Sequence, residues 1–354
     1  MKIITKYLLQ KYLKYFFIIL IALEIFFVGF DYLQNYRFLP NSANLQILYI
    51  LYNAFFILTI TLPLSLLFGW VLTITVMIKD NNIISFYSLG ISKKDILLPI
   101  FVLSFFITSL LILMQSTSLA YAAEVKSKIL NNKYFINEKS NILLKYNDNF
   151  VFFKKLFPLE KRAIDIRIFT IKDNKLVKTI IAKKAYYQNN RWYIIDAKII
   201  KNPKDIFWEE SKLDISHEKF LYTLDGFKPE IINNVYKAKV QYSIPDAIYT
   251  ILLFNKQELN TNKIEAILYS KIIIPFFVLP IIVLVFLYSN ASNRFFHAGK
   301  FVSLWVFASL FVWGIFFLLQ KLAIGNVLNA KLALILPLII LFFVSYYIYK
   351  KRIN

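Results

Sequence analysis

The sequence predicts a polytopic α-helical membrane protein with six transmembrane helices and one large inserted antiparallel β-domain. Three observations carry that reading. Apolar residues make up 58% of the 354-residue chain and aromatic residues 18%, above the usual apolar share of soluble domains. They gather in long runs with few charges, close to the ~20 residues that cross the hydrocarbon core of a bilayer. The runs stop at a polar stretch of different period, residues 124–262, and then resume.

The first apolar run, Tyr15 to Leu33, follows Lys2, Lys6, Lys11 and Lys14. That is the charge pattern of a signal sequence, but the run is longer than a signal-peptide core and no small-x-small site follows it, so an uncleaved first span is expected. The second run, Ile47 to Ile78, is too long for one straight crossing and holds Pro63, which predicts tilt or a kink. Further spans are expected at Ile96–Ala123, Ile264–Tyr288, Phe301–Leu319 and Leu332–Tyr349. Six spans place both termini on one side. The short segments of that side hold Lys79, Lys93, Lys94, Arg294, Lys300, Lys350, Lys351 and Arg352 besides the N-terminal lysines, whereas the opposite short loops hold only Arg37, Lys321 and Lys331. The positive-inside rule then puts both termini in the cytoplasm and residues 124–262 outside, because long loops translocate largely regardless of charge. The expected division is 1–123, 124–262 and 263–354.

Within the insert, Asn149–Phe153, Ala163–Ile171, Leu176–Ala182 and Arg191–Ile200 are short, β-branched, aromatic and partly alternating. Asn- and Asp-rich clusters at 145–149, 172–175 and 188–191 suit turns. Successive hairpins predict a sandwich or a jelly roll. From Ile244 the pattern is helical again, with Pro245 near the start of a helix that suits the membrane surface.

Between spans two and three the chain reads KDNNIISFYSLGISKKD. Ile83, Ile84, Phe86 and Tyr87 form a short amphipathic helix over about 80–91, Gly90 is placed as a left-handed stop, and Ser92-x-x-Asp95 is a capping-box start for span three. This segment follows Leu62-Pro63-Leu64-Ser65-Leu66-Leu67-Phe68-Gly69, and Ser270-Lys271 with Pro275 opens span four. In that order and spacing the chain resembles the LptF/LptG permease family along essentially its whole length. Asp31 and Leu33 at the end of span one, and a tail stopping just after span six, lie closer to LptG than to LptF.

The resemblance implies three spans, a β jelly roll and three more spans, and makes residues 80–91 a coupling helix docked on a nucleotide-binding subunit. Its candidate contacts are Asp80, Asn82, Ile83, Ile84, Phe86, Tyr87 and Gly90. Asn82 stands where family members carry a coupling glutamate, so either Asp80 supplies the ionic contact or docking rests on packing by Ile84, Phe86 and Tyr87. Without the family, the segment reads equally as a tight connector.

Glu24 within span one and Asp31 near its outer end are ionisable groups at membrane depth, which marks them as functional candidates or as residues of a helix interface. Family members place basic residues here to meet lipopolysaccharide phosphates, at positions that fall on Val28, Gln34 and Asn35, so that contact does not transfer. Arg37 is the nearest cation, able to bind phosphate bidentately or to anchor at the interface. Lys271 is a further lipopolysaccharide candidate and equally suits snorkelling.

There are no cysteines, which excludes disulfides, thiolate metal sites and Cys nucleophiles. No Gly-x4-Gly-Lys-Ser/Thr loop is present to cradle ATP. His217 and His297 are far apart, and Glu209 and Glu210 have no acid/base partner pattern, so neither a catalytic site nor a metal site is expected. The excess of 42 Lys and Arg over 21 Asp and Glu fits cytoplasmic loops and anionic lipid, with no nucleic-acid motif beside it. The resemblance implies a non-catalytic inner-membrane permease subunit without a cofactor. It would pair with a homologous second permease and a cytoplasmic ATPase dimer, extract lipopolysaccharide and pass it to periplasmic bridge proteins. A membrane-anchored envelope-lipid-modifying enzyme, or a permease of another ABC system, stands as the alternative.

Overall fold

The computed structural model describes residues 3–131, 139–157, 160–172, 175–203, 213–227, 241–255, 260–289 and 292–353. Asp173, Asn174, Glu209 and Glu210, singled out in the sequence, lie outside them. The chain divides into two compact units, a helical one (1–131, 242–255 and 260–354) and a β unit (132–241 and 256–259).

The helical unit runs α1 (Ile3–Asn35), α2 (Ala43–Lys79), α3 (Asn82–Ser88), α4 (Lys93–Met114) and α5 (Ala122–Leu130), then α6 (Ile244–Asn255), α7 (Asn262–Ile272), α8 (Val278–Leu287), α9 (Ala298–Ile324) and α10 (Ala330–Ile353). Five helices, α1, α2, α4, α9 and α10, are long and apolar enough to cross a membrane. A bent pair, α7 followed by residues 274–287 with a 43° break between them, passes the same test when the two are taken together, which makes six crossings where the pair counts as one span. Pro275 explains the break, since it lacks an N–H and crowds the turn before it.

Two boundaries differ from the sequence expectation. Helix α1 starts at Ile3, so Lys6, Lys11 and Lys14 ride on it as a basic extension of the span. The third span stops at Met114 rather than Ala123, because Gln115 to Ser118 is polar and Thr117 caps a 3-10 turn at Leu119 N. By contrast α2 continues unbroken through Pro63 for 37 residues, about 55 Å at 1.5 Å per residue.

Helix α1 lies along α2, α2 touches α8 and α9, α4 joins α1 to α8, and α10 packs on α7, α8 and α9. Their shared core includes Leu8, Tyr12, Leu66, Trp70, Ile74, Ile100 and Ile282. Buried hydroxyls and the indole N–H inside it are paired, as a low-dielectric interior requires. Trp70 donates to the Ile282 carbonyl at 3.0 Å, and Tyr12 donates to the Leu66 carbonyl at 3.1 Å. Ser65, Thr73, Thr75, Thr108 and Ser309 return their hydroxyls to carbonyls one turn back.

Gly69 is the contact point of α1 and α2. A Cβ there would stand 2.9 Å from the Phe16 Cα, so any side chain pushes two backbones apart. Gly69→Val is expected to destabilise the helical unit by about 3 kcal/mol, toward the upper end of overpacking costs. A detergent-solubilised variant that melts with the wild type would show that α1 does not need this approach.

The β unit is a six-stranded antiparallel sheet in chain order: β1 (Lys139–Tyr146), β2 (Asn149–Phe157), β3 (Arg162–Lys172), β4 (Lys175–Gln188), β5 (Arg191–Lys201) and β6 (Asp214–Thr223). The antiparallel β-domain is as expected. Among the described residues each strand pairs with the next, without the longer connections of a jelly roll. Asn147, Asn189 and Asn190 take positive φ in the turns, as their type predicted.

One line across the sheet interrupts the alternation. Asn141, Lys154, Asp165, Lys183, Asp196 and Lys219 occupy it, bracketed by the strand registers on either side. Asn141, Asp165 and Asp196 adopt left-handed φ of 56°, 53° and 51°. Buried positions therefore step by three rather than two across it: Phe153 to Leu156, Ala163 to Ile166, Ala182 to Ala185 and Ile194 to Ala197. Strands β2 to β5 change phase at the same level, so one apolar face stays continuous, built around Phe153 and Trp192.

Candidate functional site

The connector between α2 and α4 is built by its own caps. Asn81 turns the chain with a left-handed φ of 57°, and α3 covers Asn82 to Ser88, shorter than the 80–91 expected. Gly90 ends it at φ +77°. Gly90 N donates to the Tyr87 carbonyl and Ile91 N to the Phe86 carbonyl, both at 3.0 Å, the paired bonds of a Schellman stop. Ser92 and Asp95 then form the expected capping box of α4. Left-handed residues at both ends fix the shorter length, since neither position continues a right-handed helix.

One face of α3 is committed to the protein itself. Ile83 is fully buried, and Phe86 and Tyr87 are half-buried against the same core. Burial raises the Tyr87 phenol above its ordinary range, so it stays neutral at physiological pH. The start of α1 supplies the other partners. Tyr7 meets the Phe86 ring edge-on at 6.2 Å and its hydroxyl accepts from the Asn82 amide at 2.9 Å. Lys11 donates to that hydroxyl at 3.0 Å and pairs with Asp80 at 2.9 Å. Asp80 and Asn82 are thus both held by α1. The outward face carries Ile84, Ser85, Ser88 and Leu89, and Leu89 is 72% exposed.

The same end of the unit gathers the other helix termini. Lys93 donates to the Arg352 carbonyl at 3.1 Å and Asn293 to the Lys79 carbonyl at 3.3 Å. The start of α1, the α3 connector and the end of α10 therefore share one face.

Farther along α1 the two acids are engaged. Glu24 accepts from the Thr61 hydroxyl, and its second oxygen is buried without a partner. Asp31 accepts from Tyr49, from Asn53 at 3.1 Å and from Lys126 at 2.6 Å. Lys126 also donates to the Asn53 amide oxygen at 2.8 Å and lies over the Tyr49 and Phe56 rings. This cluster ties α1, α2 and α5 together. The two cations behave differently: Arg37 is exposed on a 3-10 turn and Lys271 is half-buried just before the α7–α8 break, each without a partner among the described residues.

The family model described as lipopolysaccharide export system permease LptF/LptG matches residues 6–351. The chain belongs to the LptF/LptG family. No curated protein matches it. Membership makes it a multi-pass inner-membrane transport component of lipopolysaccharide export.

For an LptF/LptG permease, the geometry sorts the candidates into two groups. Around α3, Ile83, Phe86 and Tyr87 face inward, and Asp80 and Asn82 are tied to α1, leaving Ile84 and Leu89 as the apolar surface on offer. Sequence reasoning missed the roles of Leu89, Tyr7 and Lys11: contacts between α1 and the connector give Tyr7 and Lys11 theirs, and outward exposure gives Leu89 its own. Near the other end of α1, Asp31 is a structural ion-pair partner, while Arg37 beyond α1 and Lys271 on α7 are cations without a partner among the described residues.

Proposed function

We propose that this chain is the transmembrane permease subunit of an ABC transporter that extracts lipopolysaccharide from the inner membrane and passes it to a periplasmic bridge. It works with a homologous second permease and a cytoplasmic ATPase dimer, with both termini in the cytoplasm and residues 124–262 in the periplasm. The observation that carries this reading is the α3 connector, a capped helix seated on the transmembrane core that presents Ile84 and Leu89 outward. Such a helix can take a groove on an ATPase and pass its movement to α2 and α4 through the chain. It also passes movement to α1 through Lys11–Asp80 and the Tyr7–Asn82–Phe86 contacts. Arg37 and Lys271 are the side chains free to meet lipopolysaccharide phosphates. At the β unit, Leu213, Ile215, Phe220 and Tyr222 on and beside β6 are exposed, which supports a strand-addition contact with bridge proteins.

Two measurements test the reading. The purified chain alone is expected to hydrolyse no ATP, with turnover appearing only when a nucleotide-binding subunit is added; robust hydrolysis by the lone chain would refute it. For orientation, a cysteine at Asn189, in the exposed β4–β5 turn, is expected to label from the periplasm of intact cells, and one at Ser292 is not. The opposite pattern inverts the topology.

A further inference from the structure

A groove of about 260 Å³ opens between α4, α8 and α10, lined by Leu98, Phe101, Val283, Phe342 and Tyr346 with Lys94 among them. Its walls ask for hydrocarbon. The one buried hydroxyl of the lining, Ser345, already donates to the Pro280 carbonyl at 3.1 Å, so no polar group in the floor needs a partner.

The termini at one end of these helices are strongly basic. The first turn of α4 supplies Lys93 and Lys94, and the last turn of α10 supplies Lys350, Lys351 and Arg352, with Asp95 as the acid of those two turns. Lys93 binds the Arg352 carbonyl at 3.1 Å, which brings the two turns into contact. Arg352 is anchored, donating to the Leu287 carbonyl at 2.5 Å and lying 4.0 Å over the Tyr288 ring. Asp95 is engaged by Ser92 as the cap of α4. Lys94, Lys350 and Lys351 have no acidic partner among the described residues. An apolar slot with a cationic rim is complementary to one kind of molecule, an amphiphile with an anionic head. Basic pockets between transmembrane helices recognise such headgroups, and aromatic residues such as Tyr346 sit at headgroup level.

We infer that this groove is a binding site for an anionic glycerophospholipid, one acyl chain lying against Phe101, Val283 and Phe342 and the phosphate held by Lys94 with Lys350 and Lys351. The site is on the face that carries the chain termini and the α3 connector, so in the proposed topology its occupant comes from the cytoplasmic leaflet. It is on a different surface from Arg37 and does not require the chain to export lipopolysaccharide.

Native mass spectrometry of the full-length chain, released from detergent after exchange with defined lipids, tests this. Phosphatidylglycerol is expected to be retained roughly thirtyfold more than phosphatidylethanolamine, the effect of about two surface cations on one negative head. Lys94→Gln with Lys350→Gln and Lys351→Gln should bring the two lipids to parity, and Val283→Trp, which fills the slot, should remove both adducts. Lys94, Lys350 and Lys351 are surface side chains, so the first variant stays informative even where the second folds poorly. Equal retention of the two lipids by the wild type, an unchanged preference in the lysine variant, or a bound mass matching lipopolysaccharide instead would each overturn the assignment.

Discussion

Leu89→Asp is expected to abolish association with the partner ATPase and stop transport while leaving the chain inserted and folded. Leu89 is 72% exposed and Ile84 40% exposed, so neither contributes to the helical core. They flank the outward face of a helix held rigid by Asn81, Gly90 and its contacts with α1. Truncating a well-seated apolar anchor at an interface costs about 2 kcal/mol or more, roughly a 30-fold loss in affinity. Placing a carboxylate there adds the penalty of burying a charge. Ile84→Asp with Leu89→Asp should eliminate co-purification altogether. Phe86→Ala acts by another route: it removes the edge-on contact with Tyr7 and half-buried packing, so it should lower thermal stability as well as coupling. Asp80→Asn weakens a pair whose acid is half exposed, worth about 0–1 kcal/mol, and should be the mildest of the set. Wild-type association by the Leu89 and Ile84 variants would reduce α3 to a connector.

The largest stability loss is expected at Lys126. Lys126→Ala leaves an Asp31 oxygen and the Asn53 carbonyl oxygen without their donor in a site where the two ion-pair side chains are 14% and 25% exposed. Stranding one member of a largely buried pair costs about 3 kcal/mol. Asp31→Asn should lose a comparable amount, because the ammonium is then unpaired between the Tyr49 and Phe56 rings. The double variant Asp31→Asn with Lys126→Ala should be less damaging than the sum of its parts by more than about 1 kcal/mol, as for groups in direct contact. Thermal unfolding of the four proteins in one detergent measures the cycle. Additive losses would mean that the pair does not hold α5 to α1 and α2.

Much of the architecture was legible before any coordinates. Spans one, two, five and six were placed by apolar length within a dozen residues at their ends, and the caps at Gly90 and Ser92–Asp95 were readable as residue types. The end of the third span was not, because the apolar window tolerates Gln115 to Ser118, whereas a helix stops where hydroxyls compete for its backbone. In the insert the strands looked only partly alternating, and the reason lies in the sheet. A period-2 pattern assumes a single phase along each strand, and the transverse line through Lys154, Asp165, Lys183 and Asp196 shifts β2 to β5 by one residue at once. Strands β1 and β6 were missed, the latter because most of its side chains are exposed and present no apolar face.

The roles of the charged residues divide in the same way. Residue order alone predicts the apolar spans, which end of each is basic, the β-domain that interrupts the helices, and the short capped helix between spans two and three. These are properties of local composition and spacing, set by the transfer of side chains to hydrocarbon and by backbone caps. Only the tertiary structure decided that Asp31 is spoken for by Lys126, 95 residues away, and Asp80 by Lys11, 69 residues away. It likewise decided that Phe86 and Tyr87 face inward while Ile84 and Leu89 face out. The physical reason is that an ion pair, or the buried side of a two-turn helix, depends on which distant segment packs against it, and spacing along the chain does not encode that choice.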